Sequence, residues 1–169
     1  MKKLLIICLG LVLSATSMNA QTALTKLGHI NSQEILQAMP ARAVAEKQMT
    51  ELRTKLETRL QDMSKEYETK VVQFQSQDPS TPAATVEALK SEIIELETRI
   101  QTYQVSAEQE LLKKQEDLLQ PMLEKVQNAI DEVGAENGFA YIFDVSTGAV
   151  LYKAGEDVGV LVKKKLGMM

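Results

Sequence analysis

The chain has one histidine, His29, and a catalytic or metal site would need this side chain to act with nearby carboxylates as a general base or a ligand. His29 lies in KLGHIN, residues 26–31, which is predicted to be a strand, and a structural role is the ordinary one for a lone histidine there. Asp144 is followed by Ser146-Thr147-Gly148, an order typical of a turn. The other carboxylates alternate with lysine and arginine, as on solvated helix surfaces.

Familiar catalytic motifs are absent from the sequence. It contains no glycine-rich phosphate loop, no G-x-S-x-G and no H-E-x-x-H, and its one cysteine, Cys8, lies in a segment that is predicted to be removed. The sequence therefore predicts no catalytic residue, no metal ion and no cofactor. The sequence therefore does not favour an enzyme.

The first twenty residues have the pattern of a secretory signal peptide. Lys2 and Lys3 precede the apolar run LLIICLGLVLSA, and SMNA precedes Gln21, so we predict export with cleavage after Ala20. Cys8 has no lipobox before it, which argues against a lipid anchor. No later apolar run is long enough to span a bilayer, so no stable membrane insertion is expected.

The charge and composition of the mature chain narrow the choice of partners. Without Lys2 and Lys3, 17 basic and 23 acidic side chains leave a net charge of −6, which argues against nucleic acid as a partner. The chain is 44% hydrophobic but only 4% aromatic, and it has no tryptophan. Such a composition favours elongated helix over a compact enzyme core.

The four prolines mark the ends of two long predicted helices. Two of them lie in QSQDPSTPAAT, which breaks a helical stretch near residues 76–82. Pro40 and Pro121 lie about forty residues to either side of this break, and they are expected to bracket the base of the structure. Residues 41–119 are therefore predicted to form an antiparallel helical hairpin, with equal limbs about 55 Å long and its tip near residues 76–82.

Each limb carries a stripe of apolar side chains, with an eleven-residue repeat on the outgoing limb and a heptad repeat on the return limb. The two stripes comprise Met49, Leu52, Leu56, Leu60, Met63, Tyr67, Val71 and Phe74, and Val86, Leu89, Ile93, Leu96, Ile100, Tyr103 and Ala107. Either the stripes simply join the limbs, or part of each faces a cavity and contacts another molecule. Residues 83–117 carry four basic and eight acidic groups, which a solvated helix face explains.

The remaining residues, 21–40 and 120–169, are predicted to form a small β-containing body at the root of the hairpin. Residues 26–31, FAYIFD and AVLY read as three short strands; Asn31 and Asp157 read as helix caps, and Asn137-Gly138 as a left-handed helix end. Short strands with open edges favour pairing with other chains, so we expect a homo-oligomer. The candidate body and interface residues are Leu27, Ile30, Phe139, Tyr141, Ile142, Phe143, Val150 and Leu151.

Three local sequences resemble the Skp (OmpH-like) family of periplasmic chaperones. They are KLGHINSQEILQAMP at 26–40, LLQPMLEKVQNAIDEVGAENGFAYIFD at 118–144 and DVGVLVKKKLG at 157–167. Together with the hairpin, the resemblance covers essentially all of residues 24–167. It implies a mainly α fold with a small β body: a jellyfish-like homotrimer in which strands of three chains form a β-barrel and three helical tentacles enclose a cavity.

The resemblance also implies a function. The family holds unfolded outer-membrane proteins in the cavity between its tentacles in the periplasm, without ATP. Two departures stand out: Gly159 replaces the usual threonine, and the net charge of −6 contrasts with basic members and argues against lipopolysaccharide contact. On this reading Met49, Met63, Tyr67, Phe74 and Tyr103 are the candidate client contacts. The alternative is a periplasmic coiled-coil spacer or adaptor that binds one specific folded partner.

Overall fold

The computed structural model describes residues 25–168, and the predicted signal peptide at residues 1–20 lies outside them. The elements in chain order are strand β1 (Leu27–Ile30), helix α1 (Ser32–Ala38), helix α2 (Pro40–Gln75), helix α3 (Ala83–Asn137), strand β2 (Tyr141–Asp144), strand β3 (Glu156–Asp157) and helix α4 (Gly159–Lys165). The described chain is mostly helical and has one small sheet, as the sequence predicted.

Helices α2 and α3 form the expected antiparallel hairpin. Leu56, Met63, Leu89 and Leu96 are buried in the seam between them, with Leu96 only 1% exposed. Polar contacts cross the seam where the limbs run in opposite directions: the Lys70 Nζ lies 2.5 Å from the Glu92 Oε2, and the Tyr103 hydroxyl donates to the Leu56 carbonyl at 3.4 Å. The limbs are thus joined by the apolar stripes that the sequence shows.

The expectation that Pro121 ends the return limb is wrong. Helix α3 is one continuous helix of 55 residues with Pro121 inside it, whereas α2 has 36 residues. Proline removes one helical hydrogen bond and crowds the preceding turn, at a cost of about 3 kcal/mol. Burial of Met122, Val126 and Ala129 directly after it holds the backbone helical. The limbs are therefore unequal, and α3 carries the hairpin directly into the body.

The tip of the hairpin is a turn built around Asp78. Its carboxylate accepts hydrogen bonds from the Ser80 hydroxyl at 2.6 Å and from the Ser80 amide at 2.8 Å. Both bonds stabilise the ionised carboxylate, and the bond from the hydroxyl has the larger effect. They hold the pKa of Asp78 below its ordinary value. Pro82 is the N-cap residue, directly before α3, and this N-cap makes no side-chain capping hydrogen bond.

The three strands form a parallel sheet in the order β2-β1-β3. The third strand lies at Glu156–Asp157, and residues 149–152, which the sequence predicted to be a strand, pair with no strand within the single chain. The sheet order explains this difference. Strands β2 and β3 occupy both edges of β1, so residues 149–152 have no edge of β1 to pair with. The sheet is open at β2 and β3, so no barrel closes within one chain.

A core of ten buried side chains joins the inner face of the sheet to the helices around it. Its members are Ile30, Ile35, Met39, Ala45, Met122, Val126, Ala129, Val133, Val158 and Val162. Two predicted helix boundaries are confirmed at its edges. The Asn31 side chain accepts from the Glu34 amide at 3.1 Å, and Gly138 has a φ of 69°. At α4 the N-cap is Val158, and Asp157, one residue earlier, accepts from the Gly159 amide at 2.8 Å.

Asp144 connects the end of β2 to the start of α1. Its carboxylate accepts from the amides of Ser32 and Ser146 at 3.2 and 2.9 Å, and from the hydroxyls of both residues. Partial burial raises the pKa of Asp144, but the hydrogen bonds from Ser32 and Ser146 outweigh it and leave the pKa below its ordinary value. The predicted turn is therefore also a clamp between sheet and helix.

Asp144→Ala is expected to lower the free energy of unfolding by about 2 kcal/mol at neutral pH, because four hydrogen bonds to one carboxylate are lost. Since the folded pKa is depressed, this stabilisation is present above the unfolded value of about 3.9 and is lost as the pH falls through the folded value. Urea unfolding at pH 7 and pH 3 measures both effects. Asp62→Ala, an exposed substitution on α2, serves as the control, and equal losses in the two variants would contradict the clamp.

Candidate functional site

The described residues contain no evident cluster of catalytic side chains. Residues 25–168 contain no group of three or more histidine, cysteine, aspartate or glutamate side chains placed to hold a metal ion. His29 is buried, with its Nε2 3.8 Å from the Asp157 carboxylate, and within this part of the chain its Nδ1 has no hydrogen-bond partner. The candidate sites are therefore apolar surfaces.

The predicted body residues fall into two groups. Ile30 belongs to the chain's own core, and Phe139 and Ile142 pack against that core. Leu27, Tyr141 and Phe143 are instead 44–62% exposed. Val150 is half-buried, and Leu151 is 98% exposed. The second group is available to another molecule.

The exposed group lies on the outer face of the sheet, away from the core. Parallel pairing places Leu27 beside Tyr141 and His29 beside Phe143, so these four side chains share one face. The rings of Tyr141 and Phe143 stack with their centroids 6.1 Å apart. A depression of about 420 Å³ lies beside them and is bordered by the loop of residues 149–155. We call Leu27, Tyr141 and Phe143, together with Leu151 and Tyr152 of the adjoining loop, the outer sheet face.

The predicted client contacts lie in or beside the hairpin seam. Met63 is only 6% exposed, whereas Met49, Tyr67, Phe74 and Tyr103 are half-buried. Part of each of these four side chains is therefore available beside the seam, and Met63 is not available while the limbs are joined. Contact between these residues and a client stays a prediction.

Helix α3 also carries a second apolar stripe, which the sequence reading missed. Its members are Ile94, Val105, Leu112, Leu119 and Leu123, all 36–68% exposed. Their spacings of eleven, seven, seven and four residues return to the same side of a helix that turns 100° per residue. This outer stripe faces about 150° away from the buried residues Leu89 and Leu96, so it is turned away from α2.

The outer stripe suits many weak contacts along an extended chain. Val105, Leu112 and Leu119 follow one another at about 10 Å intervals, since the helix rises 1.5 Å per residue. Glutamate and glutamine lie between them on this side of the helix, so the apolar side chains stand singly rather than as one wide patch. The regular spacing of seven and eleven residues is the signal of this stripe in the sequence.

The sequence matches the model of the outer membrane protein (OmpH-like) family over residues 26–166. The chain belongs to the Skp (OmpH-like) family. The match includes both the outer sheet face and the outer stripe. Within the described residues, no helix has the length and apolar character needed to cross a membrane.

Two similar proteins support the family assignment. The chain is 27% identical over 141 residues to the chaperone protein Skp of Vibrio cholerae serotype O1, a match that covers 82% of this chain and 83% of the relative. Its fold is similar to the crystal structure of an OmpH-like protein from Caulobacter crescentus CB15, with a TM-score of 0.73 and 92% of each chain covered. Sequence identity to that structure is 9%, so this likeness concerns the fold.

Proposed function

We propose that the mature chain is an ATP-independent periplasmic holdase, which binds unfolded outer-membrane proteins between helical tentacles and prevents their aggregation. The observation that carries the proposal is the outer stripe: five exposed apolar side chains, in line along the described length of a rod-like helix. Apolar side chains repeated at regular intervals along a rod offer an extended unfolded chain many separate contacts, which are weak individually but add together. Membership of a family whose curated relative is named as a chaperone agrees with this use.

The proposed functional unit is a homotrimer held by the outer sheet face. Leu151 and Tyr152 are almost fully exposed, and the outer edge of β2 is open to another strand. Residues 149–152 of one subunit would add to the sheet of the next and close a small barrel from strands of three chains. Three hairpins would then point the same way and enclose a cavity.

The alternative is that the same hairpin serves as a periplasmic coiled-coil spacer or adaptor that binds one specific folded partner. The side chains between members of the outer stripe are polar, and this favours the holdase, because a specific coiled-coil partner needs a closely packed seam of apolar residues. A holdase should bind several unrelated unfolded proteins, whereas a spacer or adaptor should bind one folded partner saturably.

The deciding experiment is light-scattering mass of the mature protein, alone and mixed with an outer-membrane β-barrel protein diluted from urea. A trimer that forms a discrete soluble complex and suppresses aggregation is the expected result. A trimer that leaves the barrel protein to precipitate would favour the spacer. A monomer would contradict the shared body.

The alanine variant of Tyr67, Phe74 and Tyr103 tests the predicted contacts beside the seam. We expect a partial loss of protection against client aggregation, because half-buried aromatic side chains offer their open faces to the client. Circular dichroism and light-scattering mass must first show that helicity and trimer are kept. Full protection by such a variant would show that these three residues do not contact the client.

A further inference from the structure

The outer stripe is bordered by carboxylates that have no partner in the structure. Ile94 is followed three residues later by Glu97, Val105 three residues later by Glu108, and Leu112 four residues later by Glu116. Side chains three or four residues apart are neighbours on a helix surface, so each apolar residue has a carboxylate beside it. All three glutamates are exposed, and none forms an ion pair within residues 25–168.

The basic groups near this surface are directed to other partners. Lys90, which lies on the same side near the tip, pairs with Glu87 at 3.7 Å. Arg99 pairs across the hairpin with Glu66 at 3.8 Å, and Lys113 pairs with Asp117 at 3.1 Å. The helical rotation turns Lys114 and Lys125 to the opposite side of α3.

One arginine of α2 also approaches the edge of this surface. Arg59 lines a groove beside Thr98 and Thr102, and it also lines a second groove that holds the carboxylates of Asp62 and Glu110. Arg59 thus shares one groove with two carboxylates, and it forms no ion pair with the three glutamates of the outer stripe within residues 25–168. The three unpaired glutamates leave the outer stripe with a negative field.

We propose that the outer stripe selects unfolded segments in which lysine or arginine accompanies apolar side chains, and that it disfavours segments rich in aspartate and glutamate. The proposal rests on the proposed holdase function and names its substrate class. Each apolar residue of the stripe would contact an apolar client side chain, while the glutamate beside it accepts from the neighbouring cation. Exposed pairs of this kind are individually weak, but three on each hairpin add to a preference of about tenfold.

Two synthetic peptides of equal length test this preference. Both alternate leucine and threonine, as the strands of outer-membrane barrels alternate apolar and polar residues. Lysine replaces every second threonine in one peptide, and glutamate replaces the same positions in the other. At low ionic strength we expect the lysine peptide to bind the mature protein about tenfold more tightly, and we expect the difference to shrink as the salt concentration approaches about 0.5 M.

The glutamine variant of Glu97, Glu108 and Glu116 should reduce the preference to about twofold or less. Its matched control carries Glu57→Gln, Glu68→Gln and Glu95→Gln, which change the net charge equally at exposed positions away from the stripe and should leave the preference intact. Equal binding of the two peptides to the unaltered protein, or equal loss in both variants, would overturn the proposal.

Suppression of β-barrel protein aggregation, measured in the same preparations, separates this proposal from the holdase assignment. If aggregation is suppressed but the peptides bind equally, the charge preference is wrong and the holdase stands. If aggregation is not suppressed and neither peptide binds, both are wrong.

Discussion

Val105→Gln combined with Leu112→Gln is expected to remove most of the protection that the protein gives to an unfolded outer-membrane protein. Both side chains are more than half exposed on the outer stripe, so the substitution should change folding stability by less than about 0.5 kcal/mol. Glutamine keeps a good helix propensity and a similar length. Only the apolar contact with the client is then lost.

The expected size of this loss follows from burial of apolar area. Covering one valine or leucine side chain contributes about 1.5–3 kcal/mol, and part of that area is already covered in the free protein. Two substitutions on each hairpin should therefore weaken client binding by at least about tenfold, and by more when several hairpins hold one client. Light scattering of a urea-diluted β-barrel protein, at a fixed ratio of protein to client, measures the effect.

A matched control for this experiment exists on α2. Val44 and Val72 are also more than half exposed but belong to the other helix. The Val44→Gln and Val72→Gln double variant removes a comparable apolar area and should retain nearly full protection. If both double variants lose protection equally, the client contacts apolar groups over the whole hairpin, and the outer stripe has no special role.

Leu151→Glu is expected to convert the oligomer to monomers. Leu151 is 98% exposed in the single chain, and in the proposed trimer it would lie within an apolar contact between subunits. A carboxylate placed there must lose its hydration without a partner, which should weaken association by about 100-fold or more. The folded chain should keep its stability, because this side chain makes little contact within its own chain.

Light-scattering mass over a range of concentrations measures this change. Val160→Glu is the control: Val160 is 61% exposed but lies on α4, whose buried Val162 packs into the core on the inner side of the sheet. Circular dichroism should show equal helicity in both variants. An unchanged mass for Leu151→Glu would exclude residues 149–152 from the interface.

Local physical rules predicted much of this fold because they act over a few residues. The break at residues 76–82 follows from proline geometry, and the helix end at Gly138 follows from the left-handed conformation that glycine adopts easily. Asn31 and Asp157 were recognised because short polar side chains accept hydrogen bonds from free helix amides. Each of these features is determined by its neighbours in sequence.

The errors arose where distant residues decide the structure. Pro121 would end an isolated helix, but the core formed with β1, α1 and α4 keeps α3 helical through it. Residues 149–152 have strand-like composition, yet Glu156–Asp157 takes the available edge of β1 although its composition is not strand-like. The outer stripe was missed because whether an apolar residue faces a neighbouring helix or solvent depends on how the limbs are rotated about their axes.

The parallel pairing of β1 with β2 has a consequence for the order of folding. Leu27 pairs with Tyr141, and the whole hairpin lies between these residues in sequence. Contacts near the tip, such as Lys70 with Glu92, close short loops, and those farther down, such as Leu56 with Tyr103, close longer ones. Because closing a loop costs more entropy as it lengthens, the hairpin is expected to zip from its tip towards its root. Strand β1 therefore waits for partners that lie 114 and 128 residues later in the chain, until the whole hairpin has been made.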